Sequence, residues 1–136
     1  MATFPLKVVS PDGPEFEGMV QQVSLRTIDG DAAILAGHIN YCTGIGMGTA
    51  NIKMEDGAQK TAACIGGMIS VMDGSCTLFP TTWEWSDEID VERAEKAKAR
   101  AEATLADQKA DEIARVGARA RLYRALVRLS AAGKNH

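Results

Sequence analysis

Hydrophobic and polar residues alternate along the first 85 residues in short stretches that are typical of β-strands. The alternation is clearest over residues 23–27 and 50–54. A period of two places one side-chain face in a core and the other in water. The pattern predicts seven strands, over Phe4–Val9, Val20–Ile28, Ala32–Leu35, Thr49–Met54, Gln59–Ile65, Met68–Met72 and Cys76–Phe79.

Four Asp-Gly pairs separate these stretches, and each pair is a candidate tight turn. Both residue types tolerate the positive φ that a type I′ hairpin turn requires. Short, regularly spaced strands with such turns indicate a β-sandwich or barrel of about 85 residues, which is enough chain to bury its own core. The pairs are Asp12-Gly13, Asp29-Gly30, Asp56-Gly57 and Asp73-Gly74.

After Ser86 the hydrophobic spacing changes to that of α-helices. The segment Ser86–Asp90 offers several N-cap residues, and its acidic side chains suit a helix N-terminus. We therefore expect helices over Val91–Leu105 and Glu112–Ala131, joined by a turn over Ala106–Asp111. A short turn between two helices predicts an antiparallel hairpin.

One face of the second predicted helix carries apolar residues at spacings of three, four, three and four. Such a stripe is typical of a helix face that packs on another surface. The large apolar side chains of the hairpin are too few for a core of its own, so we expect it to dock elsewhere and to have a changeable docked state. The stripe consists of Ile113, Val116, Ala120, Tyr123 and Val127.

The composition changes at the same place as the pattern. All four prolines and eleven of the thirteen glycines precede Ser86. We therefore predict two units, a sandwich over residues 1–85 and a helical hairpin over residues 86–136. With 136 residues, of which 46% are hydrophobic and 24% charged, the chain is typical of a small globular protein and excludes a large multidomain enzyme.

The charge is small overall but unevenly distributed. A net charge of −3 argues against a surface built to bind nucleic acid or anionic lipid. Residues 86–112 carry nine acidic and five basic residues, whereas residues 113–136 carry six basic residues and no acidic one. No stretch approaches the ~20 apolar residues of a membrane span, and the start lacks the pattern of a targeting segment, so we expect a cytosolic chain.

Candidates for catalytic or metal chemistry are weak. His38 and Cys42 lie four residues apart in a glycine-rich stretch, and a turn histidine beside a buried thiol is the simpler interpretation. Three cysteines without Cys-x-x-Cys spacing indicate neither a disulfide framework nor a zinc site. The run Gly44–Gly48 leads into a predicted strand rather than a helix, which favours a turn or bulge over a phosphate loop.

Aromatic and basic residues of the second half are the stronger candidates for binding. Trp83 and Trp85 could form a stacking platform, although packing between the two units is the commoner arrangement. Arg121, Arg124 and Arg128 share one helix face, so their guanidinium groups can converge on phosphates or carboxylates. A solvated basic face is the alternative.

Four segments along the chain form a recognisable series: Val8–Gly13, Gly30–His38, Gly66–Val71 and Ile89–Ala94. In this order and spacing they resemble the epsilon subunit of F-type ATP synthases over nearly the whole chain. The resemblance implies a ten-stranded β-sandwich followed by an antiparallel two-helix hairpin. It also implies a non-catalytic central-stalk subunit that binds the gamma subunit and the c ring, with an inhibitory hairpin that meets the beta subunits through Arg121, Arg124 and Arg128.

The resemblance also implies contact sites for ligands and partners. Some relatives bind ATP through an Ile/Leu-Asp-x-x-Arg-Ala motif and arginines on both helices, which implies weak regulatory ATP binding and no required cofactor or metal. Asp31 is then the expected contact with the c ring and His38 the expected contact with gamma. The residues implied in ATP binding are Ile89, Asp90, Arg93, Arg100, Arg124 and Arg128.

The sequence departs from the family pattern at three places. Ala36–Asn40 replaces the usual Pro-Gly-His-x-Pro, which suggests a less rigid loop. Trp83–Trp85 stands where small residues are usual, and Gly117 interrupts the second helix. These departures affect the expected docking of the hairpin.

Two other classes of protein remain as alternatives. A free-standing adaptor would bind nucleic acid or an acidic protein through its basic hairpin, but the acidic first helix argues against it. A small nucleotide-hydrolysing enzyme has no candidate base, metal cluster or phosphate loop in this sequence. The resemblance implies a peripheral location on the cytoplasmic face of a bacterial plasma membrane, or on the stromal face of a thylakoid, reached only through the complex.

Overall fold

A closed circuit of hydrogen-bonded strands forms the N-terminal part of the structure. The computed structural model describes residues 2–133, so Lys134–His136 of the predicted hairpin unit lie outside the described residues. Seven strands precede the helices. They are β1 Phe4–Ser10, β2 Gly13–Thr27, β3 Gly30–Leu35, β4 Tyr41–Gly44, β5 Met47–Met54, β6 Gln59–Met72 and β7 Ser75–Trp85.

Five of the strands close on one another. β1 pairs with β2 on one side and, in parallel, with β7 on the other, while β5 joins β2 to β6 and β6 joins β7. β3 extends the circuit beside β2, and β4 extends it beside β6. Closure leaves no unpaired edge within the five-stranded circuit, which confirms the predicted β-sandwich class.

The number of strands differs from the ten that the resemblance implies. The described residues form seven strands, because long strands continue where the sequence pattern suggested a break. β6 was predicted as two strands interrupted at Gly66 and Gly67, but it pairs with β7 in a single register on both sides of these glycines. β7 continues through Pro80 to Trp85, and β4 lies in a segment whose sequence shows no alternation.

The core lies inside the circuit. Alternate residues of the strands point inward and are almost completely buried, which confirms the period of two that the sequence predicts. Trp83 and Trp85 belong to this core, with their ring centroids 5.2 Å apart, so they form neither a stacking platform nor packing between the two units. The largest inward residues include Leu6, Val8, Val20, Val23, Ile34, Ile52, Ile69 and Leu78.

All four Asp-Gly pairs lie in turns, as predicted, but only one has the geometry of a type I′ turn. Asp73 and Gly74 both have positive φ, of 50° and 85°, and directly connect the paired residues Met72 and Ser75. At the Asp29-Gly30 turn only the glycine has positive φ, and the Thr27 hydroxyl accepts a hydrogen bond from the amide of Asp29 instead.

The helical part follows the predicted order. A short 3-10 turn over Ser86–Glu88 leads to α1 at Val91–Ala106 and α2 at Glu112–Ala131. The carboxylates of Asp90 and Asp111 cap the two N-termini by accepting backbone hydrogen bonds. The bounds of α2 agree with the prediction, and α1 is one residue longer. No helix of the described residues is long and apolar enough to cross a membrane.

The predicted apolar face of α2 is buried only near its C-terminal end, where Val127 packs against a buried cluster of Ala63, Ile89 and Ala131. Ile113, Val116 and Tyr123 are 84%, 54% and 56% exposed, whereas the buried residues of α2 are Ala118, Ala125, Leu129 and Ala131. Alanine is buried because α1 presents its own alanines, Ala94 and Ala101, and small side chains allow two helices to approach closely. Ile113, Val116 and Tyr123 of the stripe are therefore left exposed to water.

We expect Gly67→Ala to destabilise the sandwich by more than ~3 kcal/mol, because the added methyl group combines a backbone collision with an unfavourable φ. A Cβ at Gly67 would lie 2.0 Å from the carbonyl oxygen of Phe79, at a φ of 103°. Gly57→Ala is the matched control, since Gly57 has a φ of 91° but nothing within 4 Å. The control should cost only ~1 kcal/mol. Urea unfolding measures both, and equal losses would contradict the role of the close contact.

Candidate functional site

The hairpin rests on the sandwich through a small contact. α2 packs on β5 and β6, and α1 packs mainly on α2. The apolar part of this contact is a cluster of Ala63 from β6, Ile89 from the segment before α1, and Ala131 from the end of α2. Val127 and Ala132 pack against its edge. Because few apolar side chains are involved, the docked position depends strongly on polar contacts.

An ion pair joins the hairpin to the sandwich. The Nε of Arg128 on α2 donates to the carboxylate of Glu84 on β7. Glu84 lies between the inward-facing Trp83 and Trp85, so the alternation of the strand directs it outward, directly opposite Ala63 of β6. Both charged side chains are about one third exposed, which leaves the pair partly protected from solvent.

A polar cleft of about 490 Å³ opens beside this ion pair. Five arginines and three carboxylates line it, so positive charge exceeds negative charge. Guanidinium groups that converge in this way bind phosphate and carboxylate oxygens in a planar, two-point geometry. The lining residues are Glu84, Glu88, Asp90, Arg93, Ala94, Ala97, Arg100, Arg121, Arg124 and Arg128.

The cleft brings together most of the residues that the sequence analysis associated with ATP or with the beta subunits. Asp90 lines it but already serves as the N-cap of α1, since its Oδ1 lies 3.0 Å from the amide nitrogen of Arg93. Ile89 does not line the cleft and is instead buried in the docking cluster. The predicted residues that line it are Asp90, Arg93, Arg100, Arg121, Arg124 and Arg128.

Two carboxylates of the cleft were missed by the sequence analysis. Glu84 was not predicted because the predicted strand ended at Phe79, whereas β7 continues to Trp85. Extending the alternation past Pro80 would have placed Glu84 on the outer face of the strand. Glu88 lies in the short 3-10 turn before α1, where no periodic pattern operates.

Gly117 does not interrupt α2, which is continuous through this position. A Cβ there would lie 3.2 Å from Nη1 of Arg121, so the glycine leaves space for that guanidinium to lie along the helix surface. Glycine at this position costs about 1 kcal/mol of helix stability relative to alanine. It also leaves room for the observed position of Arg121, which lines the cleft.

The residues predicted to contact the c ring and gamma lie outside this cleft. Asp31 on β3 pairs with Arg26 on β2, with 3.6 Å between Oδ1 and Nη1, and lines a separate crevice of about 690 Å³ beneath α2. The ring of His38 packs edge-on against Tyr41, and its Nδ1 lies 2.7 Å from the carbonyl oxygen of Ile39. Both residues are on the surface of the sandwich, where they are accessible to partners.

The cysteines and the residue types that could bind a metal form no recognisable site within residues 2–133. Burial raises the pKa of the Cys64 and Cys76 thiols to about 12, so both remain protonated at neutral pH. Cys42 is exposed on β4, so the interpretation of this residue as a buried thiol is wrong. Within residues 2–133, no group of histidine, cysteine, aspartate and glutamate side chains has the geometry of a metal site.

Comparison with known families gives consistent matches over both parts of the chain. The beta-sandwich domain of the ATP synthase Delta/Epsilon chain matches residues 3–86, and the long alpha-helix domain of the same family matches residues 87–133. The ATP synthase epsilon chain of Caldicellulosiruptor bescii is 43% identical over 99% of this chain and 97% of its own. That of Bacillus pumilus is 37% identical over 98% of this chain and 100% of its own.

Solved structures give the same result for the fold. A chain of the Euglena gracilis mitochondrial ATP synthase, in a cryo-EM structure of OSCP, F1 and the c-ring, superposes with a TM-score of 0.84 at 26% identity. The match covers 97% of this chain and 82% of the Euglena chain. A chain from the central stalk and c-ring of the Tetrahymena thermophila enzyme superposes with a TM-score of 0.65 at 13% identity, over 94% and 95% of the two chains, and supports the fold alone.

We expect a coupling energy of about 1 kcal/mol between Glu84 and Arg128, because the pair is partly protected from solvent. The variants Glu84→Gln and Arg128→Met, alone and together, form the double-mutant cycle, with hydrogen exchange of the α2 amides as the measurement. The exposed pair of Glu92 and Lys96 on α1 provides the control cycle, where ~0.3–0.5 kcal/mol is expected. Equal coupling in the two cycles would contradict a special role for the docking pair.

Proposed function

Since the chain belongs to the epsilon chain family of F-type ATP synthases, whose members are subunits of the central stalk, we propose that it couples rotation to the catalytic head and regulates ATP hydrolysis through movement of its helical hairpin. In this proposal the subunit is not itself catalytic. The sandwich is the fixed part that stays attached to the stalk. The hairpin is the part that docks on the sandwich or leaves it.

The observation that carries this proposal is the incomplete burial of the apolar stripe of α2. The docked helix buries Val127 in part but leaves Ile113, Val116 and Tyr123 exposed to water. Several exposed large apolar side chains on one helix face are typical of an interaction surface. The docked position therefore buries only part of the apolar surface of α2. A second position against a partner could bury the side chains that are exposed here.

The proposed partners follow from the family. Asp31 is proposed to contact the c ring and His38 the gamma subunit, because both lie on the surface of the sandwich unit. Arg121, Arg124 and Arg128 are proposed to meet the beta subunits when the hairpin is released. In the docked state these three arginines line the cleft, so the contact with beta and the contact with Glu84 exclude each other at Arg128.

The location follows from the same partners. We propose a peripheral position on the cytoplasmic face of a bacterial plasma membrane, or on the stromal face of a thylakoid membrane, reached through the c ring and not by direct insertion. The basic residues of α2 also suggested an adaptor that binds nucleic acid. In the docked structure three of them, Arg121, Arg124 and Arg128, line a cleft that also contains carboxylates, so they do not form an open basic face.

The cleft is proposed to bind ATP weakly in the docked state. Its arginines come from both helices, so an anion that contacts them together can hold the closed hairpin in place. The proposed contacts are Arg93 and Arg100 from α1 and Arg124 and Arg128 from α2, with Asp90 at the base of α1. Ile89 is proposed to contribute only indirectly, because it anchors the segment that carries Asp90.

For ATP binding we expect calorimetry at millimolar MgATP to detect heat with the full chain. Arg93→Met and Arg124→Met should each weaken binding about tenfold or more, since each removes charge-assisted hydrogen bonds to phosphate. Lys96→Met is the matched control, because Lys96 is a cation of α1 that pairs with Glu92 outside the cleft. Flat titrations of the full chain would remove the ATP proposal.

For the regulatory role we expect truncation after Trp85 to raise the ATPase activity of the catalytic head reconstituted with its gamma subunit. The truncated chain keeps the entire strand circuit but loses the hairpin. Binding of the truncated chain to gamma is the control that its sandwich is intact. Unchanged activity together with retained gamma binding would show that the hairpin is not a brake in this protein.

A further inference from the structure

A single side chain spans the turn between the two helices. The guanidinium of Arg115, in the first turn of α2, reaches back and donates to three backbone carbonyl oxygens. Its Nη2 lies 2.8 Å from the oxygen of Asp107, its Nε 3.2 Å from that of Ala110, and its Nη1 3.3 Å from that of Leu105. The planar guanidinium group therefore contacts the last turn of α1 as well as the beginning and the end of the segment that connects the two helices.

One of these carbonyls is a group that a helix end leaves without a partner. Leu105 belongs to the last turn of α1, where the carbonyl oxygens have no amide four residues further along the helix. The carbonyl oxygen of Asp107 also accepts from the amide of Ala110, at 3.2 Å. A positive charge is favoured at this end, because the helix dipole concentrates negative potential at the C-terminus. Arg115 supplies a donor for Leu105 and the positive charge.

The other polar contacts of the turn are local. Oδ1 of Asp107 accepts from the amide of Lys109 at 2.9 Å, and Oδ1 of Asp111 accepts from the amide of Ala114 at 2.8 Å. Each of these stabilises one helix end or the loop by itself. In the part of the chain that the structure describes, Arg115 is the one α2 side chain that donates to the backbone of α1.

We propose that Arg115 is a lock that keeps α2 folded back along α1, and that breaking its three hydrogen bonds is the step that lets the two helices separate. Undocking from the sandwich and opening of the hairpin are then distinct events. Undocking breaks the contact between Arg128 and Glu84, whereas opening breaks the contacts of Arg115. The regulatory consequence rests on the proposed function of the hairpin as a brake, whereas the lock itself does not.

The lock is tested by hydrogen exchange of the full-length chain. Arg115→Met removes every donor while keeping an unbranched side chain, and it should accelerate exchange of the amides of residues 105–112 about tenfold or more. Exchange in β6 should stay unchanged. Arg119→Met is the matched control, because Arg119 lies one turn further along α2 and pairs with the exposed Glu112. Equal exchange in the two variants and the unmodified chain would overturn the lock.

Arg115→Lys separates geometry from charge. Lysine keeps the positive charge at the end of α1, but its single nitrogen cannot bind three carbonyls arranged around a planar fork. We expect exchange between that of the unmodified chain and that of Arg115→Met. Exchange equal to that of the unmodified chain would assign the effect to charge alone and overturn the three-bond lock.

The assembled complex tests the regulatory consequence. In the reconstituted head, Arg115→Met should deepen inhibition of ATP hydrolysis, because α2 is freed to leave α1, and Arg119→Met should not. Faster exchange with unchanged or relieved inhibition would overturn Arg115 as the control point of opening. If truncation after Trp85 leaves activity unchanged, the proposed function fails, while the exchange measurements still decide whether the lock exists.

Discussion

Close approach of α1 and α2 determines how the rest of the hairpin is arranged. Ala94 and Ala101 of α1 and Ala118 and Ala125 of α2 are all nearly inaccessible to water. Large side chains at these positions would hold the helices further apart, so the larger apolar residues of α2 must lie elsewhere. The same approach brings arginines of both helices to one cleft and leaves Ile113, Val116 and Tyr123 exposed.

The sandwich is built differently, because its core is formed by residues 4–85. Its five-stranded circuit is closed by hydrogen bonds, and its core is filled by large inward-facing side chains. The hairpin contacts it where α2 packs on β5 and β6, and this contact includes the small cluster of Ala63, Ile89 and Ala131 and the ion pair between Glu84 and Arg128. A rigid platform with a lightly attached element is the arrangement expected where one part of a protein must move and the other must not.

The sequence predicted those features that depend on local chemistry. The bounds of α2 followed from the helical period, and the shared face of Arg121, Arg124 and Arg128 followed from their spacing, whereas Arg93 and Arg100 were expected only from the family resemblance. The buried face of α2 did not follow, since a hydrophobic pattern ranks isoleucine above alanine, whereas helix packing here selects the smaller side chain. Glu84 was missed because Pro80 made the end of β7 look like a break in the strand. The strand continues because Pro80 pairs with Gly67 of β6, which has no side chain to collide with it.

The cleft links anion binding to the position of the hairpin. Five arginines lie together, and the carboxylate of Glu84 is ion-paired with only one of them, Arg128. Their mutual repulsion opposes the closed, docked hairpin, and an anion that enters the cleft removes part of that repulsion. A ligand that binds only when both helices supply their arginines stabilises the docked state by its own binding free energy. The same arginines, once released, are free for an acidic partner, so a phosphate ligand and such a partner compete for one set of guanidinium groups.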